Sequence, residues 1–135
     1  MHKHILIPVA LDHEAVVPKK IELARHLLAP GGRITLLTVL EDVPGFVAEF
    51  VDLKPVNHLT QHIKEKLDAV AGGAADISTE VVKGKAGLRI TGFAEENGVD
   101  LIVVGSHHPG ARDYFLGSTA SRVTRRAPCS VYILR

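Results

Sequence analysis

Short, almost unbroken apolar runs alternate along this chain with segments whose apolar residues recur every three or four positions. The runs are Ile5 to Ala10, Arg33 to Leu40, Ile77 to Val82, Asp100 to Gly105 and Cys129 to Leu134. The first, second and fourth are apolar at nearly every position, as strands buried on both faces must be. All five read as parallel strands. Between them, Val17, Ile21, Ala24 and Leu28 mark one amphipathic helix, and Leu59, Ile63, Leu67 and Val70 mark a second. That spacing leaves Lys19, Lys20, Glu22 and Arg25 of the first, and Lys64, Glu65 and Lys66 of the second, to water. Ile90, Phe93 and Ala94, then Ala120, Val123 and Ala127, indicate two more helices.

Pro18 is compatible with the first helix because it falls in the first turn, where its missing N–H has no partner to lose. Pro30-Gly31-Gly32 is expected to stop that helix, and Gly72-Gly73 the second. The order βαβαβαβαβ predicts a single doubly wound five-stranded parallel sheet with helices on both faces, a Rossmann-like α/β fold with right-handed crossovers. Ligands of such sheets bind beyond the C-terminal strand ends where the strand order reverses, which points to the loops after strands one and four. Glu41 to Val56 breaks the pattern. Pro44-Gly45 interrupts any helix there while Phe46, Val47, Phe50 and Val51 supply apolar side chains, so the segment reads as a short helix or a lid over a sheet edge or ligand.

Composition narrows the function. A chain of 135 residues with 46% hydrophobic residues suits one compact domain, taken as residues 1–135, and no repeat or linker divides it. With 16 Lys and Arg against 15 Asp and Glu, the basic excess that a dedicated nucleic-acid binder needs is missing. Phe46, Phe50, Phe93, Phe115, Tyr114 and Tyr132 are scattered, so no platform for stacking bases is evident. Cys129 has no second cysteine to pair with, which fits a reducing compartment, and between Pro128 and Val131 it reads as a small apolar filler. The apolar run Ile5 to Leu11 is interrupted by Pro8 and followed by Asp12, and so is neither a signal peptide nor a membrane span. A cytoplasmic protein without membrane insertion is expected.

The chemistry concentrates in the stretch from Gly105 to Thr119. It leaves the fourth strand, passes through a glycine-containing loop with His107, His108 and Gly110, and enters a helix at Gly117-Ser118-Thr119. Glycines let backbone approach a ligand, and the free N–H groups and dipole at a helix start favour an anion, phosphate being the obvious one. The alternative is that Gly105 and Gly110 only turn the chain and Ser118 or Thr119 only caps the helix. No G-x-x-x-x-G-K-[ST] loop occurs, and no G-x-G-x-x-G follows strand one. His107 and His108 either donate to a phosphate or ribose or are ordinary loop residues. His2, His4, His13 and His26 read as surface histidines. His58 and His62 have a zinc-compatible spacing, but no third ligand is evident. Lys83, Lys85 and Arg89, around Gly84 and Gly87, either neutralise phosphates or form a solvated basic rim.

Taken together, Ile5-Leu6-Ile7-Pro8-Val9, Leu37-Thr38-Val39, Gly84, Asp100 to His107, Leu116-Gly117-Ser118-Thr119 and Pro128 to Leu134 resemble the universal stress protein family over essentially the whole chain. The resemblance implies a doubly wound domain that is usually dimeric through its last strand and binds ATP in some members. In those members a G-x2-G-x9-G-[ST] signature holds ribose and phosphates, an Asp ending strand one lies at the adenine, and a Val ending strand two packs on the base. Carried onto this chain, Gly105, Gly117 and Ser118 match the signature and Val39 matches the base contact. Pro8, Val9, Ala10, Asp12, Gly84, Val104, His107, His108, Gly110 and Thr119 complete the expected cofactor-binding set. Two positions depart. His108 stands where the second glycine belongs, in a loop one residue shorter that resembles a Gly-Ser-His-x-Pro branch. Ala10 stands at the strand-one Asp, with Asp12 two residues on.

Three functions follow as alternatives. The first is an ATP-binding stress or signalling module, with AMP or ADP as variants and Mg2+ as an optional companion, acting as a homodimer on an unidentified protein partner. The second is a nucleotide-free dimeric interaction protein, which Ala10 and His108 favour. The third is a slow ATP hydrolase, for which no constellation of metal ligands, cationic clamp and nucleophile is legible. A branched side chain at Gly117 is expected both to block the ligand and to strain a turn.

Overall fold

The computed structural model describes residues 1–10, 16–41, 53–106 and 116–135, with side chains of the third stretch described from Leu59 onward. In chain order the elements are β1 (His2–Pro8), α1 (Val17–Leu27), β2 (Leu28–Leu40), α2 (Leu53–Ala71), β3 (Ile77–Lys83), α3 (Ala86–Glu96), β4 (Leu101–Gly105), α4 (Ser118–Arg126) and β5 (Ser130–Leu134). The strands form one sheet of order β3-β2-β1-β4-β5, and every pairing is parallel. This is the expected α/β architecture.

Alternation along the strands builds two cores. Ile5, Ile7, Ile34, Leu36, Leu101 and Val103 face one side, where Val17 and Ala24 of α1 and Ile63 and Leu67 of α2 cover them. Leu6, Leu37, Ile102 and Val104 face the other side, under Ile90 and Ala94 of α3 and Ala120 and Val123 of α4. Because β1 sits between β2 and β4, the chain winds one way from β1 to β3 and the other way from β4 to β5. The strand order reverses at β1 and β4, which leaves a crevice beyond their C-terminal ends.

Four local expectations are corrected. The first helix ends at Leu27, ahead of Pro30-Gly31-Gly32, and extended backbone begins at once with Leu28. Proline disfavours helical backbone in the residue before it, so the helix stops early. The three residues then bulge from the ladder, where pairing steps from His2 with Leu28 to His4 with Arg33. Lys20 is only 6% exposed rather than solvated. It follows Val17 by three residues and precedes Ala24 by four, so helical geometry puts it inside the apolar stripe. Leu59 is 48% exposed, although its spacing matched the buried face of α2. Ile63 and Leu67, one and two turns further on, carry the burial of that face instead.

His4 is the fourth correction. It is buried, with Nδ1 against the carbonyl of Asn97 at 3.1 Å and Nε2 at 2.8 Å from the Thr35 hydroxyl, which lies 3.0 Å from that of Ser78. A carbonyl only accepts, so Nδ1 carries the proton and Nε2 accepts from Thr35, linking β1, β2 and β3. Burial lowers the His4 pKa, helped by nearby Arg33 and opposed by Asn97 and Asp100. The unfolded chain therefore takes up the proton first. Stability is full above the ordinary histidine pKa of about 6.5 and is lost as pH falls below it through the lowered folded value. Urea unfolding at mildly acidic and neutral pH should show a smaller pH-dependent loss in His4→Gln than in wild type; equal losses would place the titration elsewhere.

Candidate functional site

The crevice is a cavity of about 700 Å³, within the size range of small-ligand sites. The C-terminal tips of three adjacent strands contribute Pro8, Val9 and Ala10, then Leu37 to Glu41, then Val104 and Gly105. The starts of two helices close it, with Ala86 and Ile90 from α3 and Gly117, Ser118, Thr119 and Ala120 from α4. Lys20 reaches in from α1.

Backbone bonds fix this frame. The N–H of Val9 donates to the Leu37 carbonyl at 2.8 Å, and the buried Thr38 hydroxyl donates to the Val9 carbonyl at 3.0 Å. The tip of β1 is thus tied to β2 past the last strand residue. Ser106 donates its N–H to the carbonyl of Leu134, and Gly117 donates to the carbonyl of Ser106 at 2.8 Å. The two ends of the long β4–α4 connection are therefore clamped together over β4. Gly117 caps α4 with φ −60° and ψ 154°, extended backbone that any residue adopts, so the expected turn strain is absent.

The electrostatics favour an anion. Among the described residues no side chain caps α4, whose first backbone bond runs from Ser121 to Gly117, so the N–H groups of its first turn have no partner within the helix. With the helix dipole they form an anion-binding end. Burial also lowers the pKa of Lys20. Glu41 is engaged elsewhere, accepting a 3.2 Å bond from the N–H of Ala86 at the start of α3. Around Val39 and Val104 the wall is apolar, continuous with Ile90 and Ala120 of the core beneath.

Nine sequence-nominated residues meet in the cavity: Pro8, Val9, Ala10, Val39, Val104, Gly105, Gly117, Ser118 and Thr119. Gly84 is not among the residues lining it. At φ +136° Gly84 makes the turn from β3 to α3, its N–H donates to the Leu40 carbonyl, and an added Cβ would lie 2.7 Å from Cγ of Arg89. Asp12, His107, His108 and Gly110 lie outside the described residues, as do residues 42–52 of the Glu41 to Val56 segment, whose last four residues, Leu53 to Val56, are the start of α2. Lys83, Lys85 and Arg89 are exposed, as is His62, whose partner His58 has no described side chain. Burial raises the Cys129 pKa, with Asp100 adding to it, which keeps the thiol protonated and unreactive. Among the described residues no helix is long and apolar enough to cross a membrane.

Sequence reasoning missed Lys20, Thr38, Glu41, Ala86 and Ile90. Lys20 had a signal in its three-and-four spacing from Val17 and Ala24, and Thr38 had one as a polar residue inside a buried run. Glu41 had none, since its partner is 45 residues away.

Comparison with known proteins agrees with this geometry. A model of the Universal stress protein family matches residues 1–135. Universal stress protein G of Shigella flexneri is 30% identical over 147 aligned positions that cover 100% of both chains. The solved universal stress protein UspA from Lactobacillus plantarum superposes with a TM-score of 0.70 at 26% identity, covering 98% of this chain and 97% of that one. A universal stress protein solved in complex with cAMP shares the fold with a TM-score of 0.65 at 18% identity, covering 99% and 97%.

Proposed function

Since the chain belongs to the universal stress protein family, we propose that it is an adenine-nucleotide-binding stress or signalling module, cytoplasmic, working as a homodimer with ATP as its ligand. The observation that carries this reading is the uncapped start of α4 opening into a cavity of about 700 Å³ at the strand-order reversal. Phosphates go to the N–H groups of Ser118 and Thr119, where charge-assisted bonds and the helix dipole act together. The base packs on Val39 beside Pro8 and Val9, whose apolar surfaces are held in place by the Val9–Leu37 and Thr38–Val9 bonds. The relative solved with cAMP supports the reading, because it places an adenine nucleotide on the same fold.

The dimer contact is assigned to β5. Among the described residues this strand pairs with β4 alone and no strand pairs with its other edge, and Tyr132 on it is 41% exposed. An open edge of this character is suited to pairing with a second copy. Native mass spectrometry of protein purified gently from cells tests both parts at once. The expected species has twice the 14.5 kDa chain mass and carries adenine nucleotide. A bare dimer would favour the nucleotide-free interaction protein, and a monomer at micromolar concentration would remove the β5 assignment.

A further inference from the structure

The nucleotide reading leaves one buried charge unexplained. Lys20 is 6% exposed, yet among the described residues it has no hydrogen-bond or ion-pair partner. Its ammonium lies at the end of β4, with Nζ 3.6 Å and Cε 3.8 Å from the point a Cβ on Gly105 would occupy. It thus rests over the bare α-carbon of Gly105 and lines the cavity. An isolated ammonium out of water is costly, and an apolar side chain of similar length would fill the same place without that cost. Glu41, another charged residue of the lining, is committed to the N–H of Ala86.

We propose that Lys20 is an anion-binding residue of this cavity, holding a phosphate-type oxyanion of the ligand and making the site select phosphorylated nucleotides over nucleosides. The proposal rests on the nucleotide reading and adds a determinant to it. The first turn of α4 offers dipoles and N–H groups, whereas Lys20 offers a full positive charge from the opposite, α1 side of the crevice. As a compact point charge on a flexible stem, it accommodates phosphates in several geometries. Among the described residues its charge has no protein partner, and the ligand supplies one.

The test compares wild type, Lys20→Met and Lys20→Arg by calorimetry with ATP, AMP and adenosine, and by melting temperature without ligand. Lys20→Met is expected to weaken ATP and AMP by about tenfold or more, the usual scale for losing a bond to a charged group, and to leave adenosine within about twofold. Lys20→Arg keeps the charge and should fall between wild type and Lys20→Met. Unliganded Lys20→Met should melt a few degrees above wild type, because the uncompensated charge is gone. Equal effects on ATP and adenosine, no effect on either, or a lower melting temperature would overturn the assignment. Wild type that binds neither ATP nor adenosine would instead overturn the nucleotide reading, and inorganic tripolyphosphate then decides for Lys20. Thermal stabilisation by tripolyphosphate that vanishes in Lys20→Met supports it, and any other response overturns it.

Discussion

Replacing Gly117 by valine is expected to weaken ATP binding by about a hundredfold or more while leaving the unfolding transition unchanged. The two halves of that outcome come from different observations. Gly117 precedes the helix whose first N–H groups face the cavity, so a branched side chain there covers the Ser118 and Thr119 donors. Losing two bonds to a charged phosphate, each worth about 1.5–3 kcal/mol, accounts for the size of the effect. Folding is spared because φ −60° and ψ 154° are open to valine and the N–H that bonds Ser106 is kept. Calorimetry with ATP and circular dichroism on the same sample check the prediction. Unchanged affinity in a folded variant would mean that the connection between β4 and α4 only joins them. A loss of fold without a specific loss of binding would mean that the glycine serves the turn.

Leu6→Ala should lower the unfolding free energy by about 2–5 kcal/mol, the range for deleting a buried leucine side chain. Leu6 is fully buried on β1, in the same core as Leu37, Ile90, Val104 and Ala120, which also line the cavity. Domains of ordinary stability unfold at roughly 5–15 kcal/mol, so the change removes a large share of the total. The melting temperature should fall by roughly 10 °C or more. Leu88→Ala is the control, because Leu88 is 51% exposed and its truncation should cost within about 0.5 kcal/mol. Urea titrations of both variants check the pair. Similar losses from the two would mean that the β1 core does not dominate stability.

The architecture was readable because hydrophobic periodicity is set by burial on the two faces of a sheet. The runs beginning at Ile77, Asp100 and Cys129 contain an observed strand or nearly all of it, whereas those beginning at Ile5 and Arg33 contain only the C-terminal parts of β1, which starts at His2, and β2, which starts at Leu28. What misled was counting only apolar residues. That rule sent Lys20 and His4 to the surface, although the positions of both are buried by packing against elements distant in sequence. His4 is held by Asn97 and Thr35, and Lys20 is enclosed beside Gly105, so neither environment is a local property of the chain. The failure at Leu59 has the opposite sign. Its spacing was correct for a helix face, but periodicity does not say how much of that face the sheet covers.

The candidate site was legible for a related reason. Glycine, serine and threonine at the end of a buried run and the start of a helix say where backbone donors are exposed, and those residues do meet in the cavity. Lys20 and Glu41 are charged groups brought to the crevice from α1 and from the end of β2, which depends on strand order rather than on any motif. Ala10 lies in the cavity at the position where the family resemblance places a carboxylate, so its apolar methyl joins the wall beside Pro8 and Val9.

The central claim is that this cavity binds an adenine nucleotide, and calorimetric titration of the dialysed wild-type protein with ATP tests it most directly. The account predicts saturable binding of one ATP per chain that AMP competes away. No heat of binding, together with an unchanged melting temperature at millimolar ATP, would contradict it.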